Sequence, residues 1–149
     1  AALLARDDPA LRALALRSGG GAIDDARLAA AAGDPDADVR IAAADALLAR
    51  RGEAALPTAL PLLFDRDERV RRETARRISR LGAPAVPALR ELLSERPYGE
   101  ISELSPVALA LALAGADGVA ALEEIAAASP DPQRRKLADL ALGRLGERH

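Results

Sequence analysis

Glycines recur along this chain at an almost constant interval. Gly52 closes "ARRG", Gly82 "SRLG", Gly115 "LALAG" and Gly146 "GRLG", at spacings of 30, 33 and 31 residues, and the run Gly19–Gly21 in "SGGG" falls about one period earlier. Each follows a helical pattern, at the place where a left-handed C′ residue ends a helix without a Cβ penalty. Residues four, seven and ten past each glycine are apolar: Leu56, Ala59 and Leu62, then Val86, Leu89 and Leu92, then Val119, Leu122 and Ile125. That spacing is one stripe of a helix. Pro57 and Pro87 both fall five residues past their glycine, near a helix start, where a missing N–H costs least. The repeating unit is therefore helix, short turn, helix, short loop, about 31 residues long.

Composition says what such units are made of. Half of the 149 residues are apolar, yet there is one Phe, one Tyr and no Trp or Met, so the core must be built from Ala, Leu, Val and Ile. Ala and Leu are strong helix formers and β-branched residues are few, which makes the class all-α. One helix pair cannot bury its apolar face alone, so neighbouring pairs must stack into two layers. First, outer helices are expected near 9–18, 38–51, 68–81, 103–114 and 133–145. Second, inner helices are expected near 22–32, 54–64, 84–94 and 118–128, with Ala1–Arg6 as the tail of a preceding inner helix. The length is one domain's worth of chain.

Two units, "DPDADVRIAAADALLARRGEAALPTALPLLFD" and "RDERVRRETARRISRLGAPAVPALRELLSE", carry the pattern D-x-x-V-R-x-x-A-x-x-A-L-x-x-L-G followed by a Pro-rich second helix. They resemble HEAT repeats, of the short kind also called PBS-lyase-like. "DPQRRKLADLALGRLG" follows the pattern with Arg134 in place of Val, "ISELSPVALALALAGADGVAALEEIAAAS" lacks the V-R step, and "DDPALRALALRSGGGAIDDARLAAAAG" is degenerate. The resemblance implies a right-handed α-solenoid of about four and a half repeats in a single domain over 1–149. The chain opens "AALLARDDP", already helical in pattern and without Met, as expected of a fragment of a longer protein. The resemblance also implies that the Arg after Val, here Arg40 and Arg71, turns into the seam between repeats to pair with an Asp. A non-catalytic protein-interaction scaffold or regulatory module is the function such repeats imply. Phycobilin lyases and HEAT-type DNA glycosylases offer catalytic precedents. This chain has almost no aromatic side chains to line a tetrapyrrole pocket or to stack on an extruded base, so those precedents transfer the fold alone.

The stretch "DPDADVR", Asp34–Arg40, begins like a calcium loop. Such a loop needs Gly at its sixth position and Glu at its twelfth, and these positions hold Val39 and Asp45. The alternative is local: Asp36 or Asp38 caps a helix, and the acidic cluster sits at the positive end of its macrodipole.

Catalytic groups are hard to assemble. His149 is the only histidine and the last residue, and there is no Cys, hence no disulfide framework, thiol nucleophile or thiolate metal site. No Ser or Thr has a histidine to activate it; Ser102, Ser105 and Ser129 read as helix caps or loop residues. The adjacent carboxylates Asp7–Asp8, Asp24–Asp25 and Glu123–Glu124 read as solvated, whereas general-acid work needs burial. No enzyme, cofactor or metal site is expected. A net charge of −2 gives no global pull toward nucleic acid or anionic lipid. No stretch approaches the ~20 apolar residues of a membrane span, nothing reads as a signal peptide, and a cytoplasmic location is expected. Twenty Arg against the single Lys136 fit a GC-rich bacterial genome.

Two surfaces are candidates for a partner. If the stripe at four, seven and ten faces the core, positions five, eight, nine and twelve face the concave side. These collect Leu60, Pro61 and Phe64, then Arg90, Glu91 and Ser94, then Glu123 and Glu124, with Asp24 and Asp25 nearby in the first unit. That face is mildly acidic with one aromatic anchor, which suits a basic amphipathic peptide. The other surface is the stripe Arg69, Arg72, Arg76 and Arg80, at helical spacings of three and four, where Arg could grip phosphate or nucleic acid; the solvated outer face is its ordinary role. The charge-free helix "SPVALALALAG" should be buried all round, covered by the loop "ERPYGEIS" through Tyr98 or Ile101, or by another chain.

Overall fold

A computed structural model describes residues 6–19, 23–95 and 105–146, with side chains through residue 143. The helices are α1 (Pro9–Ser18), α2 (Asp25–Ala31), α3 (Ala37–Arg51), α4 (Leu56–Ala59), α5 (Glu68–Ser79), α6 (Val86–Glu95), α7 (Pro106–Leu113), α8 (Ala116–Ala128) and α9 (Pro132–Gly146). There is no strand among the described residues. Tight 3-10 turns flank α4, at Gly52–Ala55 and Leu60–Phe64, and another, Ala83–Ala85, leads into α6. The chain divides into two compact units, Ala1–Arg77 and Ile78–His149, with the division inside α5.

Within the first unit α3 packs on α1, α2 and α4. Within the second, α7 and α9 pack together, α6 and α8 pack together, and α7–α8 and α8–α9 contacts join the two layers. Both units are thus stacked helix pairs, as in a HEAT-like α-solenoid. Their cores are what the composition dictates. Val39, Ala43, Leu63 and Val70 are fully buried in one, and Leu89, Leu111, Leu122 and Ala138 in the other. Each such leucine contributes about 1.5–3 kcal/mol, and the alanines let backbones approach closely.

The apolar stripe is shifted slightly from its expected register. Leu92, Val119 and Ile125 are only half-buried, whereas Leu63 and Leu93, eleven past their glycines, are sealed in. Gly52, Gly82 and Gly115 do end their helices at positive φ, but ψ lies between −128° and −160°, not near the left-handed value. This is mirror-image extended backbone, open essentially to Gly alone. Gly19 departs from the set, with φ −91°, and Gly20 and Gly21 lie outside the described residues.

The expected second helix over 54–64 is broken in character. Pro57 and Pro61 sit four apart, so both bonds that would tie them back to residues 53 and 57 are missing. Only one α turn, Leu56–Ala59, survives between two 3-10 turns. With no proline between Pro87 and Glu95, α6 runs unbroken to its end.

The "DPDADVR" stretch resolves into a joint. Asp34 Oδ1 accepts from Asp36 N at 2.9 Å, and Asp36 Oδ1 caps α3 through Asp38 N at 2.9 Å and Val39 N at 3.2 Å. One repeat later Asp65 accepts from Asp67 N at 2.8 Å, and Asp67 caps α5 through Arg69 N at 2.8 Å. Arg40, only 5% exposed, closes the joint. Its Nε and Nη2 each donate to Asp65 at 2.8 Å, and its Nη1 donates to the carbonyls of Asp34 and Pro35. Arg12 makes the same set, with Nε to Asp34 at 2.9 Å and Nη1 to the carbonyls of Arg6 and Asp7. Arg71 Nη1 donates to the carbonyl of Asp65 at 2.8 Å, and Arg135 Nη1 to that of Ser129 at 2.5 Å. Arg40 thus fills the implied role by pairing with Asp65, and Arg12 does the same with Asp34; Arg71 and Arg135 bind main-chain carbonyls.

The charge-free helix α7 is covered within its own unit. It packs against α6, α8 and α9, and Leu111 is fully buried while Leu109 and Leu113 are half-buried. Tyr98 and Ile101, the expected plugs, lie outside the described residues, as do Ser102, His149 and Ala1–Leu4.

Candidate functional site

The second helices turn a consistent set of side chains outward. In the first unit Pro57 and Pro61 are exposed, Phe64 is 39% exposed and Leu60 is half-buried. The proline-broken backbone sets this ridge. With no N–H to satisfy at Pro57 and Pro61, their rings can face solvent without exposing a donor.

In the second unit α6 and α8 lie side by side. Glu91, Ser94, Glu123 and Glu124 are exposed and Arg90 is half-buried. Arg90 Nη1 reaches across to Glu124 Oε2 at 2.7 Å. Hydrogen bonding to Glu124 raises the Arg90 pKa, and hydrogen bonding from Arg90 lowers that of Glu124. Beside this pair opens a cleft of about 370 Å³, lined by Leu93, Ser94, Ile125, Ala128 and Ser129 as well as Arg90, Glu91, Glu124 and Arg134. Arg134 was not foreseen as a surface residue of this kind. It donates to the carbonyl of Ser94 and pairs with Asp131 at 3.4 Å. Its departure from the Val of the repeat pattern was the available signal.

The remaining candidates are engaged elsewhere. Asp24 caps α2, accepting from Arg27 N at 2.9 Å, and Asp25 pairs with both Arg50 and Arg51 at 3.1 Å. On the arginine stripe, Arg69 pairs with Asp38, Arg72 with Glu68 at 2.6 Å and Arg76 with Glu73 at 2.9 Å. Arg77, beside the stripe, pairs with Asp45 at 3.0 Å. Arg80 is exposed. Three of the four stripe cations therefore already face a carboxylate.

A family model described as HEAT repeats matches residues 25–110, more than half of the chain. The chain belongs to the HEAT-repeat family. A search of curated proteins finds no match. The matched span holds the Arg40 joint and both second helices that carry Leu60, Phe64, Arg90 and Glu91. Among the described residues no group of three or more His, Cys, Asp or Glu is arranged to hold a metal ion. No described helix is long and apolar enough to cross a membrane.

Proposed function

We propose that this HEAT-repeat chain is a non-catalytic interaction module that binds a partner protein or peptide through the exposed face of its second helices. The observation that carries the reading is a division of labour. Described first-helix arginines are mostly consumed by joints and ion pairs, while the second helices present Phe64 and Leu60 in one unit and Glu91 and Glu123 in the other. Neither glutamate has an ion-pair partner among the described residues. HEAT repeats generally serve as protein-interaction scaffolds, and in a curved repeat stack the second helices line the inner surface. A basic, amphipathic segment suits the acidic second-unit face, and an exposed aromatic is a good anchor. Binding of phosphate or nucleic acid through Arg69, Arg72, Arg76 and Arg80 is the second reading, in which the ligand competes with the carboxylates on the first three.

The test is affinity capture of partners at physiological salt, with three variants beside the natural chain. Phe64→Ala and the pair Glu91→Lys, Glu123→Lys should each lose the partner, and Arg69→Glu, Arg72→Glu, Arg76→Glu should keep it. Loss only in the arginine variant overturns the reading.

A further inference from the structure

We propose that the cleft between α6 and α8 receives the side chain of a partner arginine or lysine, and that Arg90 occupies its carboxylate until the partner displaces it. The inference rests on the protein-binding reading above and names the chemistry recognised. The cleft has the two parts a long cationic side chain needs. Leu93 and Ile125 form an apolar floor for an aliphatic stem, and Glu91 and Glu124 stand at its rim for the charged tip. Its size, about 370 Å³, is ample for one such side chain.

Charge decides the sign of the occupant. Of the two arginines lining the cleft, Arg134 is held by the carbonyl of Ser94 and by Asp131, and Arg90 is matched by Glu124. Glu91 then remains in excess, with no ion-pair partner among the described residues. An anion would have to break both arginine pairs and approach Glu91. A cation adds to Glu91 and competes only for Glu124. That competition is open to solvent, since the Arg90 and Glu124 side chains are 40% and 62% exposed, and exposed pairs exchange at little cost. The Arg90–Glu124 pair is thus a weak internal stand-in for the incoming group.

The experiment is a methyl-NMR titration of the full chain with three probes: Nα-acetyl-arginine amide, Nα-acetyl-lysine amide and Nα-acetyl-glutamate amide. Both cationic probes should shift the Leu93 and Ile125 methyl signals saturably, in the millimolar range expected of one side chain. Glu91→Gln with Glu124→Gln should abolish the shifts. Arg90→Met, which keeps the stem and removes the competitor, should tighten binding severalfold. Far-UV circular dichroism checks that each variant is folded. Equal or larger shifts with the glutamate probe, no saturation with the cationic probes up to roughly 100 mM, or no tightening in Arg90→Met overturns the proposal. Each of these can occur while the captured partner still depends on Glu91 and Glu123, so failure here is distinguishable from failure of the interaction reading.

Discussion

Gly118→Ala should destabilise the second unit, although the same change elsewhere in a helix does the opposite. Gly118 lies in the first turn of α8, where α8 crosses α7. A Cβ placed there would stand 2.0 Å from the Leu111 carbonyl oxygen and 3.0 Å from the Ala114 Cβ. Ordinary contact begins at 3.4 Å, so the two helices must part by about 1.4 Å. The obstacle is backbone, which cannot swing aside as a side chain can. A gap of roughly 0.5–1 Å already forfeits a quarter to a half of the dispersion attraction across it, and this one is wider; Leu111 and Leu122 are both fully buried in the second-unit core. Overpacking of this kind costs roughly 1–3 kcal/mol, against a gain of at most about 1 kcal/mol from replacing Gly in a helix. We expect a net loss of about 1 kcal/mol, or roughly 2–4 °C in Tm for a chain of this size. The companion variant is Gly143→Ala in α9, where an added Cβ meets nothing within 4 Å; it should gain up to about 1 kcal/mol. Urea unfolding followed by circular dichroism at 222 nm reads both. Equal or raised midpoints for the two variants would refute the close-approach argument.

Two further outcomes follow from the first unit. Burial pushes the Asp65 carboxyl up, but the Arg40 guanidinium and the Asp67 N–H together hold its pKa below the ordinary value, and Asp34 is lowered likewise beside Arg12. The folded state therefore binds fewer protons than the unfolded one below about pH 4, so this stabilisation is complete above the ordinary carboxylate pKa and is lost as pH falls through the folded one; Asp65→Asn should flatten that acid limb, while Arg40→Ala, which strands a buried carboxylate, should cost about 3–5 kcal/mol at neutral pH, both read by urea midpoints against pH. Thr74 is 1% exposed and its hydroxyl has no hydrogen-bond partner among the described residues, so Thr74→Val, equal in shape, should stabilise by about 1 kcal/mol, and a destabilised variant would mean that the hydroxyl is satisfied.

The period, the all-helical class and the helix positions were legible because Gly and apolar spacing act locally. What the sequence hid was set by neighbours. Leu63 and Leu93 are buried because a further turn of each second helix meets the core, which a stripe counted at four, seven and ten does not reveal. Gly52, Gly82 and Gly115 were recognisable as helix ends, but ψ is fixed by where the next helix must go. Arg12 and Arg135 sit in repeats whose pattern is worn: Leu11 and Arg134 stand where the better units have Val, yet both arginines keep their backbone acceptors. Among candidate site residues, Glu91, Glu123, Glu124 and Phe64 are exposed and Arg90 is half-buried. The attachment of Asp25 to Arg50 and Arg51, and of Arg72 and Arg76 to their own helix's glutamates, depends on rotamers that spacing alone does not select.

The seam arginines read the path of the chain and not its letters. At the places where they deposit their Nη1 protons stand Arg6 and Asp7, Asp34 and Pro35, Asp65 and Arg66, and Ser129. The acceptor in every case is a main-chain carbonyl, so Arg, Asp, Pro and Ser all serve. Apart from Asp34 and Asp65, whose carboxylates also close the joints, a turn held in this way is free to change its outward side chains without loosening the fold. Diversification of the loops between helix pairs is therefore decoupled from the survival of the stack, and a chain built so can acquire new surface specificities at the edge without first solving a packing problem.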